Sequence, residues 1–113
     1  MKLPRQAALL RIYTEEARRD GTRPLYDSVV IKARDTGLAG ATVLRGPMGF
    51  GESAQLHTAK ILDLSANLPL VIEIVDSEEK INGFLPTLDH MMTSGLITLE
   101  KVQVLHYGTK ATA

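Results

Sequence analysis

Residues 37–51 read GLAGATVLRGPMGFG. A short apolar strand over about 41–45 stands between glycines and runs straight into a polar Gly/Pro segment. Five of these fifteen positions are glycine. A chain of 113 residues supports one modest core, and packing that core does not call for glycines at this density. Glycine gives the backbone freedom without steric cost. The stretch therefore predicts a strand feeding a long mobile loop, over 46–57, that senses a ligand or a partner.

On the N-terminal side, Gly37 reads as the stop of a short amphipathic helix. Pro24 suits its first turn, and Leu25, Val29 and Ala33 recur at helical spacing. Before it, residues 7–13 form a strand with Leu10 and Ile12 on one face and Leu9, Arg11 and Tyr13 on the other. On the C-terminal side, Thr58–Leu64 alternates as a returning strand, either extending a hairpin with 41–45 or pairing at an edge. Asn67-Leu68-Pro69 is a break. Residues 70–75, Leu-Val-Ile-Glu-Ile-Val, are strongly β-forming because branched side chains suit the pleat. Asp76-Ser77 offers a helix N-cap with Glu79 as the capping-box partner of Asp76. Ile81, Phe84, Leu85, Leu88 and Met92 trace the apolar face of a second helix up to Gly95. A last strand covers 97–105, and the tail frays from about 108.

The order β-α-β-β-α-β predicts an α+β, ferredoxin-like sandwich in which both helices cover one face of a single sheet. Residues 1–113 form one domain on this reading. Each strand carries more apolar residues than one helical layer can bury, so the open face packs against copies of the chain in a cyclic oligomer.

Composition narrows the function. The chain has no cysteine, which excludes disulfides, thiolate metal sites and cysteine nucleophiles. No apolar run approaches the roughly 20 residues needed to span a bilayer, and no signal-peptide core precedes Arg11, so the expected location is the cytoplasm. The formal net charge is zero, but residues 1–51 carry nine Lys/Arg against five Asp/Glu and residues 52–113 four against eight. A nucleic-acid binder is normally basic and offers stacking aromatics. With three Tyr, two Phe and no Trp, this chain is not expected to bind one.

Four kinds of side chain carry chemistry. Arg45, at the mouth of the loop, can present a planar guanidinium to phosphate or carboxylate, unless it is simply a surface arginine at a strand end. Gly46, Gly49 and Gly51 allow the loop to close over a ligand, or merely shape its tip. Glu73 lies inside an apolar strand and calls for a cation or donor, from a ligand, from another subunit or from within the fold. His57, at the end of the loop, is a candidate ligand contact or pH-sensitive switch, while His90 and His106 are dispersed from it. Ser53, Ser65, Ser77 and Ser94 lack a nucleophile-elbow context, so no catalytic residue is assigned and the chain is not read as an enzyme.

These segments, Leu10–Tyr13, Gly37–Gly46 with Gly49-Phe50-Gly51, Leu68-Pro69 with Val71–Asp76, and Gly95–Glu100, together resemble an uncharacterised branch of PII-like proteins, relatives of the nitrogen-regulatory PII signalling proteins. The resemblance implies a homotrimer with ligand clefts between subunits. It also implies a T-loop, here 46–57, that regulates a membrane transporter or enzyme. Gly40, Thr42 and Arg45 then lie on the strand entering the cleft, with Phe50 in the loop. Ser94 and Gly95 correspond to the phosphate-cradling B-loop, and Arg11 of a neighbouring subunit adds charge. Met92–Ile97 has one glycine and no base, unlike a PII phosphate cradle. The implied effector is a small anionic metabolite, an adenine nucleotide (AMP, ADP or ATP) foremost, with no cofactor required. The same architecture serves divalent-cation-tolerance trimers, so the alternative is a metal-binding trimer using His57 with carboxylates across an interface.

Overall fold

The computed structural model describes residues 2–59 and 67–109. Four strands form one sheet: β1 (Gln6–Glu15), β2 (Thr42–Arg45), β3 (Pro69–Asp76) and β4 (Leu96–Gln103), in the order β2-β3-β1-β4 with every neighbouring pair antiparallel. Helices α1 (Leu25–Asp35) and α2 (Glu78–Met91) follow β1 and β3, which completes the expected βαββαβ order. Short two-residue ribbons pair Arg19–Asp20 with Arg23–Pro24, and Met48–Gly49 with His57–Thr58.

The core lies between the sheet and the helices. Ala8, Leu10 and Ile12 of β1 and Ile72 and Ile74 of β3 meet Leu25, Val29 and Ala33 of α1 and Ile81, Phe84 and Leu88 of α2, all buried. Alternation along β1 and β3 puts one side of each strand into this layer because successive side chains leave a strand on opposite faces. The helical positions recur every third or fourth residue for the corresponding reason.

Local chemistry sets the helix ends. Pro24 is the N-cap of α1 rather than a residue of its first turn. At the other end Thr36 is the C-cap, Gly37 takes φ +83°, Gly37 N donates to Arg34 O and Leu38 N donates to Ala33 O. This pair of bonds is a Schellman motif, whose left-handed position glycine fills without strain.

The cap of α2 differs from the sequence expectation. Ser77 alone is the N-cap, its hydroxyl accepting from Lys80 N at 3.1 Å. Asp76 is 2% exposed and instead accepts from Ala39 N at 2.9 Å and Ser77 N at 2.6 Å. Glu79 is therefore not its capping partner. Replacing Ser77 with alanine is expected to lower stability by about 1 kcal/mol, the usual cost of a lost cap, read as a shift in the urea midpoint at unchanged slope.

β2 pairs with β3, Val43 opposite Ile72. His57 and Thr58 pair with Gly49 and Met48, and Ala59 N donates to Pro47 O at 2.8 Å, while residues 60–64 of the expected strand lie outside the described residues. The final strand stops at Gln103, after which Val104 N donates to Arg5 O and the Tyr107 hydroxyl donates to Ala39 O. Of the tail expected to fray, residues 110–113 also lie outside the described residues.

Among the described residues no helix covers the second sheet face. Leu9, Arg11 and Tyr13 of β1 share it with Val71, Glu73 and Val75 of β3, Thr42 and Leu44 of β2, and Leu96, Thr98 and Glu100 of β4, as the register dictates. Leu44 is 49% exposed and Leu96 56%. Among the described residues no helix is long and apolar enough to cross a membrane.

Candidate functional site

Antiparallel pairing brings the C-terminal ends of β1 and β2 to the same end of the sheet as the N-terminal ends of β3 and β4. Glu15 stands opposite Pro69, Arg45 opposite Leu70 and Tyr13 opposite Leu96. Loop 46–57 leaves and returns here, and the turn before β4 lies at this end too.

Gly46 N donates to Pro69 O at 2.8 Å. A Cβ at either Gly46 or Gly49 would stand 3.2 Å from Pro69 Cγ, so both glycines let the loop stem lie against that ring. Both flanks of the loop then end in ion-pair geometry on consecutive glutamates. Arg45 Nε lies 2.8 Å from Glu16 Oε1, and His57 Nε2 lies 3.1 Å from Glu15 Oε2. Arg18 approaches the other oxygen of Glu15 at 3.5 Å. The glutamates sit on a fixed segment, since Glu16 N donates to Leu68 O and Ala17 N to Asn67 Oδ1. The Arg45 side chain is 62% exposed, and an ion pair this open to water contributes only about 0–1 kcal/mol. Such a contact exchanges easily for another anion.

Ser94 and Gly95 complete this end. Among the described residues, the Ser94 and Thr14 hydroxyl oxygens are buried without a hydrogen-bond partner, which leaves polar capacity beside the strand ends. Gly95 has φ +121°, and a Cβ there would stand 2.7 Å from the Tyr13 carbonyl oxygen, so it is the closeness of two backbones that demands glycine. Phe50, 72% exposed, and Gly51 lie farther along the loop.

The other sequence-selected residues lie apart from this cluster. Arg11 and Glu73 are mid-sheet on the open face, where Arg11 Nε donates to Glu73 Oε2 at 2.8 Å and Arg11 Nη1 donates to Glu100 Oε1. The hydrogen bond that Arg11 donates to Glu73, with the nearby charge of Glu100, pushes the Arg11 guanidinium's pKa above its ordinary value. Glu73 thus has a cation partner within its own chain. Thr42 stands opposite Glu73, and Gly40 lies at the far end of the sheet, beside the Ala39–Asp76 contact.

Glu15 and Glu16 were not selected from the sequence. Their only signal there is an acidic doublet at the end of a strand, which by itself reads as a solvated edge. Among the described residues no group of three or more His, Asp and Glu side chains comes together as metal ligands. A cleft of about 600 Å³ lies between the helices, lined by Ser28, Ile31, Lys32, Thr87, His90 and Met91 among others. None of the sequence-selected site residues borders it.

Residues 7–104 match the model of the DUF190 family, described as uncharacterized ACR, COG1993. The chain belongs to this family. It is 41% identical over 98 residues to a UPF0166 protein of Aquifex aeolicus (strain VF5), covering 87% of this chain and 92% of that protein. It is 35% identical over 100 residues to the UPF0166 protein MJ1524 of Methanocaldococcus jannaschii, covering 88% and 92%. Among solved structures it is similar to CPII of Thiomonas intermedia K12 bound to ADP and bicarbonate, with a TM-score of 0.57, 20% identity and 88% of each chain covered. A second structure of CPII, a nitrogen regulatory PII-like protein, bound to ADP, AMP and bicarbonate, gives a TM-score of 0.57 at 19% identity, again over 88% of both chains. This DUF190 member therefore has the PII-like fold, as the sequence resemblance implied.

Proposed function

We propose that this chain is a PII-like signal-transduction protein. It acts as a cytoplasmic homotrimer that binds a small anionic effector, an adenine nucleotide foremost, at a cleft between subunits. Loop 46–57 serves as its T-loop and carries the bound state to a partner, a transporter or an enzyme. The chain binds and regulates rather than catalyses.

The observation that carries this reading is the convergence of Arg45 and His57, the two flanks of the loop, on the sheet end that also bears the Ser94-Gly95 turn. An anion taken by Arg45 there acts directly on the stem of the loop. The bound ADP and bicarbonate named for the CPII structures supply the ligand chemistry. The open sheet face, with Leu44, Tyr13 and Leu96 exposed, supports assembly through the sheet, since a contiguous exposed apolar patch marks an interaction surface.

The test is calorimetric titration with AMP, ADP, ATP, cyclic AMP and bicarbonate, after light scattering has given the oligomeric mass. Saturable binding is expected. Arg45→Ala is expected to weaken it about tenfold or more, the loss of a charge-assisted contact, with the trimer mass unchanged. A trimer that gives no heat with any of these ligands overturns the effector role and leaves the assembly standing.

A further inference from the structure

Arg45 is already engaged. Its Nε meets Glu16 Oε1 at 2.8 Å, and the contact of a carboxylate with a guanidinium is the one that a phosphate or bicarbonate oxygen would make in its place. Glu16 is held by the backbone of its own segment through Leu68 and Asn67. Of the two partners, Arg45 sits on the loop stem. At the other flank His57 is fastened in the same manner to Glu15, with Arg18 on the second oxygen of that carboxylate.

We propose that Glu16 is a resident competitor for the anion site. The effector takes Arg45 by displacing Glu16 and thereby unfastens the first flank of loop 46–57, while Glu15 and His57 retain the second. This inference rests on the reading that an anion binds at Arg45, and adds to it what the anion must displace and how that displacement reaches the loop. Two consequences follow from linkage. The apparent affinity for the anion is reduced by the fraction of molecules in which Arg45 is free of Glu16. A partner that prefers the unfastened loop raises anion affinity by the same factor by which the anion raises affinity for the partner.

The absence of cysteine makes Ser53→Cys a unique site for a spin label in the loop. Unaltered protein, Glu16→Gln, Glu15→Gln and Arg45→Ala are titrated separately with ADP and with sodium bicarbonate at one ionic strength, and the label mobility is read with and without ligand. Glu16→Gln is expected to bind about fivefold tighter or better with at least one of the two anions. Unliganded, it is expected to show the label mobility that unaltered protein reaches only at saturation. A gain with ADP alone points to a phosphate oxygen on Arg45, and a gain with bicarbonate alone to a carbonate oxygen.

Glu15→Gln removes the same charge one residue away without touching Arg45. An equal gain in that variant reduces the effect to general electrostatics and overturns the clasp. So does binding that is lost in Arg45→Ala yet not improved in Glu16→Gln. No heat with either anion in any of the four proteins overturns the clasp together with the effector role, whereas the two preceding outcomes leave the effector role intact.

Discussion

Gly95→Ala is expected to destabilise the protein by about 3 kcal/mol or more, through steric overlap and backbone strain acting together. A Cβ there would stand 2.7 Å from both Met92 Cε and the Tyr13 carbonyl oxygen, at a φ of +121°. The methionine end can swing aside. The carbonyl cannot, because Tyr13 belongs to the central strand and is paired on both sides, to Val71 and to Leu96. The relief must come from β4, so the measurement is a urea midpoint together with amide exchange along 96–103. A loss of midpoint with faster exchange in β4 is the expected pattern. An unchanged midpoint would mean that the turn moves freely and that Gly95 is not needed for backbone closeness.

Asp76→Asn is expected to cost about 3 kcal/mol, although the two side chains have the same shape. Both carboxylate oxygens accept from backbone N–H groups, one from Ala39 and one from Ser77, at a position only 2% exposed. An amide offers one acceptor and one donor, so one of the two buried N–H groups faces another donor. An unsatisfied buried donor costs about 1–3 kcal/mol, and hydrogen bonds to charged groups are at the strong end. Because Ala39 precedes β2, the loss is expected to loosen the α1–β2 connection as well as the start of α2. Thermal unfolding followed by exchange at Ala39 and Ser77 tests this, and protection retained at both amides would refute it.

Much of the architecture was legible because it depends on periodicity and local stops. Leu10 and Ile12 alternate, Leu25, Val29 and Ala33 recur every fourth residue, and Gly37 closes its helix through bonds confined to a few residues. What escaped was non-local. Asp76 before a helix looks like a cap, and only the folded chain brings Ala39 to it. Glu73 was legible as a carboxylate needing a partner, but Arg11 as that partner is a fact of register. The candidate site divides in the same way. Arg45 and His57 stood out by residue type and place at the loop flanks, whereas Glu15 and Glu16 gain meaning only when β1 and both flanks reach one end of the sheet.

The strand order also governs how this chain acquires its structure. β1 leaves the ribosome before the other strands of this sheet and is a central one, yet its partners come last: Glu15 pairs with Pro69, and Gln6 with Gln103. No hairpin between consecutive strands joins β1 to either of its partners, and distant pairings are paid for in loop-closure entropy before any contact is gained, which makes folding slow. During synthesis Leu10 and Ile12 wait without a sheet until β3 has emerged. The interval in which the nascent chain is most prone to misassociation is therefore set by translation through the loop and on to residue 76, and a pause in that stretch prolongs it.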